Sequence, residues 1–130
     1  MWRTIILSVL FSAVSWTVSA ASPIHRPAAI ILLRHADKPE DPGDVHLSQA
    51  GVKRAEVLVS FITTDTAMTR LGLPVAIFAT KTAKDGNGQR TQETVAPLSR
   101  RLGVPVQTPF RTKDYGSLAK LIFGNTAYGG

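Results

Sequence analysis

The sequence predicts an α/β sandwich around a largely parallel sheet. Short apolar runs alternate with amphipathic stretches in the order β-α-β-α-β-α, and the runs are continuous, as in strands buried on both faces. Glycine- or proline-bearing turns separate them. The 130 residues, 44 % apolar and 18 % charged, have globular composition and the length of one domain.

Residues 1–20 stand apart from that pattern. Arg3 supplies a short positive region, and from Ile5 to Val18 the chain is apolar but for Ser and Thr. Val18, Ser19 and Ala20 then offer a small-residue cleavage site before Ala21. A signal peptide over 1–20 is expected, with a domain over 21–130 that is secreted or periplasmic. The apolar run is shorter than the ~20 residues a spanning helix needs, and no basic cluster follows it, so no stable membrane anchor is expected.

Residues 21–27 carry two prolines and read as an arm; residues 28–33 are a continuous Ile/Leu-rich run and read as the first strand. The run ends in Arg34-His35-Ala36-Asp37-Lys38-Pro39, and 39–44 is loop. Ser48 is a candidate N-cap for a helix reaching about Ile62, with Val52, Ala55, Leu58, Val59 and Ile62 on one face. Gly72 and Pro74 mark a turn, 75–79 a second strand and 80–88 a polar, glycine-rich loop. A second helix is expected from near Gln89 to Leu102, with Gly103 as its left-handed cap, Arg100 and Arg101 at its negative end, and a bend at Pro97. Residues 104–107 read as a third strand and 115–123 as a last helix. The polar, glycine-rich ending at 127–130 has the character of a linker, and the domain is expected to be incomplete at that end.

Charge and composition narrow the chemistry. The absence of cysteine excludes disulfides, thiolate metal sites and a cysteine nucleophile. The formal charge of +6 is spread without a compact Lys/Arg run or an aromatic-rich strand, so no nucleic-acid partner is expected and a small anionic ligand suits it better. Glu56, near Lys53 and Arg54, reads as a surface-pairing residue, and Phe61, Phe78, Phe110 and Phe123 as core.

Arg34 and His35 follow a strand, where open α/β sheets bind ligands. By themselves they could be a surface ion-pairing arginine and a satisfied loop histidine. Arg90 adds weight. It follows the glycine-rich Asp85-Gly86-Asn87-Gly88-Gln89 approach to a helix, whose first turn disfavours a positive charge unless an anion is bound there. Two arginines and a histidine after neighbouring parallel strands make a phosphate pocket.

Three segments, in this order and spacing, resemble the histidine phosphatase superfamily, the phosphoglycerate mutase-like group: Ile31-Leu-Leu-Arg-His-Ala-Asp-Lys-Pro39, Leu47-Ser-Gln-Ala-Gly-Val-Lys-Arg-Ala55 and Gln89-Arg-Thr-Gln-Glu-Thr94. The resemblance covers roughly residues 28–107. It implies a three-layer α/β/α sandwich and metal-independent hydrolysis of a small phosphorylated substrate through phosphohistidine, with no cofactor. His35 matches the nucleophile, and Arg34 and Arg90 match the phosphate-binding arginines. Asp114 falls in the region of the general acid, although it also reads as a helix N-cap. Glu93 reads as an ion-pairing support for Arg90 or a neighbour, Asp37 as a partner of Lys38, and Lys38 as a rim or solvated loop residue. The family's second pocket histidine has no counterpart, because His25, His35 and His46 are the only histidines. The alternative is therefore a non-catalytic phosphate-binding module or degenerate pseudoenzyme.

Overall fold

The computed structural model describes residues 27–128. The expected signal peptide, most of the arm and His25 lie outside that range. Helix α1 is Gln49–Thr64. The Ser48 hydroxyl accepts from the Gly51 N–H at 3.0 Å, so the expected N-cap satisfies one of the helix's free donors. The helix ends at Asp65, whose backbone turns extended while its carboxylate accepts from the Ala67 and Met68 N–H groups. One aspartate thus closes α1 and caps a further single-turn helix, α2 (Thr66–Thr69), absent from the sequence reading.

Beyond the Gly72 turn, strand β1 (Ile77–Phe78) pairs in parallel with β2 (Val106–Gln107), Ile77 opposite Val106. The crossover between them carries α3 (Gln89–Leu102), closed by Gly103 at φ 68° with Arg100 and Arg101 in its last turn. Helix α4 (Tyr115–Gly124) and a 3₁₀ turn (Thr126–Tyr128) follow, and the Tyr128 ring meets Phe78 edge-on at 5.8 Å.

The main core joins α1, β1 and α3. Ile62, Ile77, Val95 and Leu98 are buried together, and Leu58, Met68, Leu102 and Val106 pack against them. A smaller cluster of Ala36, Leu47 and Ala55 lies under the loop that follows Arg34. The described residues therefore form a mixed helical structure with a small parallel two-stranded sheet.

Several expectations fail, each for a physical reason. Residues 28–33 are not a strand: no backbone hydrogen bond joins them to the rest of the described chain, and Leu32 is 89 % exposed. An apolar run becomes a strand only when a ladder partner takes up its N–H and C=O groups. The second and third strands shrink to two residues each, and Val75 faces outward at 73 % exposure. Phe61 and Phe123 are exposed rather than core: the buried face of α1 is filled by aliphatic side chains, and α4, which carries Phe123, buries no residue.

Candidate functional site

The segments carrying Arg34–Lys38, Leu47–Ala55 and Gln89–Thr94 are far apart in sequence and packed together in space. Thr94, on the second turn of α3, is the one buried polar side chain among the described residues. Its hydroxyl donates to the Arg90 carbonyl at 2.7 Å and accepts from the Ala36 N–H at 2.9 Å. That relay ties the residue after His35 to the first turn of α3. From the other side, the Asp37 carbonyl accepts from the Ser48 N–H at 2.9 Å and the Ser48 hydroxyl at 3.2 Å.

Gly51 explains how the helix comes so close. A Cβ there would stand 2.3 Å from the Asp37 carbonyl oxygen, which is backbone and cannot swing away. The Asp37 carboxylate reaches the Arg54 guanidinium at 3.3 Å, across exposed side chains. This corrects the expected Asp37–Lys38 pair: neighbours in an extended loop point apart, whereas α1 presents Arg54 to the loop. The same pairing takes Arg54 from Glu56, and Glu56 has no ion-pair partner among the described residues.

The loop so held fixes the imidazole. His35 Nδ1 lies 2.7 Å from the Ala36 carbonyl oxygen. A carbonyl only accepts, so Nδ1 carries the proton and the neutral ring keeps its lone pair on Nε2. A ring held this way presents one defined nitrogen, Nε2, to whatever occupies the space beside it. His35 and Arg34 line an apolar cavity of about 300 Å³ bounded by 29–33, β1, α3 and α4, with Thr91 and Thr94 on its wall. Arg34 has no hydrogen-bond or ion-pair partner among the described residues and is exposed.

Arg90 stands at the start of α3, half-buried, and does not line the cavity that Arg34 and His35 share. The expected convergence of both arginines and the histidine on one pocket is therefore not seen: the Asp44–His46 loop draws the Arg90 side chain to itself. Its Nε donates to the His46 carbonyl at 3.0 Å and Nη2 to the Asp44 carbonyl. Two neutral acceptors orient the fork without neutralising it, and Nη1 has no acceptor among the described residues. Gly88 lets the chain enter this turn: it sits at φ 96°, and a Cβ would meet the Lys81 carbonyl oxygen at 2.8 Å.

Asp114 precedes α4, but its carboxylate accepts from the Arg111 N–H at 3.0 Å rather than capping the helix. It lines a second cavity of about 200 Å³ that shares Leu33 and Thr91 with the first, and it is exposed. Lys38 is exposed as well.

Glu93 does not pair with Arg90. One carboxylate oxygen receives His46 Nδ1 at 2.5 Å and Gln89 Nε2 at 3.1 Å; the other accepts from the Leu47 N–H at 2.9 Å. The bond to Glu93 raises the His46 pKa, helped by the carboxylate's charge. Burial pulls Glu93 upward, but the bonds from His46, Gln89 and Leu47 outweigh it and leave the carboxyl below its ordinary value. No group of three His, Cys, Asp or Glu side chains among the described residues is arranged to hold a metal ion.

Sequence reasoning missed the parts played by Thr94, Gly51 and Gln92. Gln92 donates to the Thr80 carbonyl and the Thr82 hydroxyl, steadying the loop after β1. A threonine among the apolar positions of α3 was the available signal for the first; a glycine inside an otherwise good helix was the signal for the second. Compared with protein-family models, curated proteins and solved structures, the chain matches none.

Proposed function

We propose that this chain is a histidine phosphatase-type phosphomonoesterase, acting without a metal through a phosphohistidine on His35, and that its fold is a three-layer α/β/α sandwich. The observation that carries the reading is the Ala36–Thr94–Arg90 relay, because it joins the two most distant of the three resembling segments at the expected nucleophile. The imidazole tautomer is the one the chemistry requires.

In this reading the Nε2 lone pair of His35 attacks phosphorus in line with the ester oxygen. The P–O bond breaks, and the departing alkoxide takes a proton from Asp114, which shares the wall of the adjoining cavity. Water then attacks the phosphohistidine while giving a proton to the Asp114 carboxylate left by the first step; the N–P bond breaks, and inorganic phosphate leaves with the imidazole and the carboxylic acid both restored. Arg34 and Arg90 stabilise the charge on the non-bridging oxygens. The substrate is a small phosphate monoester, and the protein is exported after loss of residues 1–20.

Turnover of a generic aryl phosphate by the full chain, beside a His35→Ala control, tests the reading. Hydrolysis by wild type and none by the variant is the expected result; equal rates in both overturn it. Arg90→Ala is expected to lower the rate by ~10²–10³, as loss of a charge-stabilising donor does at comparable sites.

One observation favours a second reading, a phosphate-binding module without turnover. The pocket has no second histidine from the described chain, since the ring of His46 is taken by Glu93. Phosphate binding abolished by Arg90→Ala, with no hydrolysis by wild type, selects it.

A further inference from the structure

The surroundings of Arg90 carry an inference that rests on its assignment as a phosphate ligand and deepens it. His46 serves α3 twice: its carbonyl receives Arg90 Nε, and its ring bonds Glu93, one turn further along the same helix. Glu93 in turn uses both oxygens on consecutive residues of the entry to α1, the His46 ring and the Leu47 N–H. The second acceptor for Arg90, the Asp44 carbonyl, belongs to the same short loop, and the Asp44 carboxylate folds it by accepting the His46 N–H at 2.8 Å. The fork of Arg90 is therefore aimed by a loop that Glu93 grips.

We infer that Glu93 is a positioning residue for Arg90, acting through the His46–Leu47 segment, and that protonation of His46 tightens this grip and sets the guanidinium for a tetrahedral dianion. The charged groups facing the His46 ring and its backbone are Glu93 and Arg90 from α3 and Asp44 from its own loop. With the imidazole protonated, the bond to Glu93 is an ion pair. Once the ring is neutral it is a single charge-to-dipole bond, and the loop is held mainly by the Leu47 N–H. The upward shift of the His46 pKa agrees with this coupling. The His46 side chain is 62 % exposed, so the grip is modest, and exposed pairs of this kind change an equilibrium by about two- to fivefold.

The test follows the Arg90 Nε–H by nuclear magnetic resonance through the titration of His46 in the full chain. A parallel titration measures the affinity for sulfate, a tetrahedral dianion whose charge is constant over this range. In wild type, protection of the Arg90 Nε–H, measured as its exchange rate relative to free arginine at the same pH, is expected to fall about two- to fivefold as His46 loses its proton, and sulfate affinity to fall in step. His46→Gln is expected to remove that step, and Glu93→Gln to give low protection at every pH. An Arg90 Nε–H that ignores the His46 titration in wild type overturns the inference, even if neither variant folds. So does unchanged exchange in a folded Glu93→Gln. If the Nε–H step is present but wild type binds no sulfate, the phosphate assignment fails and the coupling stands.

Discussion

Ala36 and Leu32 are four positions apart, both apolar and both expected in or beside the first strand, yet one is 2 % exposed and the other 89 %. Ala36 is small, and its N–H and its neighbour's carbonyl each have a partner of defined direction: Thr94 on one side, Ser48 on the other. Leu32 has more hydrophobic surface to bury and no backbone partner among the described residues. The difference teaches that hydrophobicity alone does not seat a segment. A run of leucine and isoleucine gains from burial in many arrangements, whereas a hydrogen bond between named groups selects one.

The sharpest way to break this comparison is to unseat the held region. Gly51→Val would place side-chain atoms on the Asp37 carbonyl, and a destabilisation of about 3 kcal/mol or more is expected from urea denaturation. Wild-type stability in that variant would mean that the loop after His35 does not rest on α1.

Thr94→Val keeps the volume and removes the acceptor of the buried Ala36 N–H. A loss of about 1–3 kcal/mol is expected, with Thr94→Ser restoring most of it. If valine and serine behave alike, packing and not the relay holds the loop.

A smaller effect comes from pH. His46 has its pKa raised on folding, so its contribution is complete below the ordinary imidazole value of 6.5 and is lost as pH rises through the folded value. Glu93 has its pKa lowered, so its contribution is complete above 4.5 and is lost as pH falls through its folded value. The cluster therefore adds most stability between these limits. His46→Gln should flatten the alkaline side of the thermal-stability profile; a profile identical to wild type contradicts the pairing.

The smallest change sharpens the other half of the comparison. Leu32→Lys is expected to alter stability by no more than about 0.5 kcal/mol, because that side chain faces solvent. A larger loss would show that something covers residues 28–33 in solution.

What could be foreseen in the sequence follows the same division. The helices were legible because their ends are written locally: Ser48 caps α1, and Gly103 closes α3 where a left-handed residue was expected. The order β1-α3-β2 followed from turn residues and short apolar runs. Strand extent was not legible, since pairing depends on a partner elsewhere in the chain, and 28–33 has the composition of a strand without the ladder. In the site, Arg34, His35 and Arg90 stand out by chemical type. The groups that aim them do not: the Asp44 and His46 carbonyls that orient Arg90 are backbone atoms every residue possesses. Glu93 was expected to support Arg90 or a neighbour, and its partner is His46, brought beside it only by the packing of the α1 entry on α3.

The Nε2 nitrogen of His35 is where the proposed phosphoryl transfer can be read most directly. The full chain incubated with an aryl phosphate, quenched at alkaline pH and digested, should yield the peptide bearing His35 with one added phosphoryl group. Nuclear magnetic resonance of the labelled imidazole should place that group on Nε2, the nitrogen left free by the bond from Nδ1 to the Ala36 carbonyl. Phosphorus on Nδ1, on another residue, or equally incorporated in His35→Ala would contradict it.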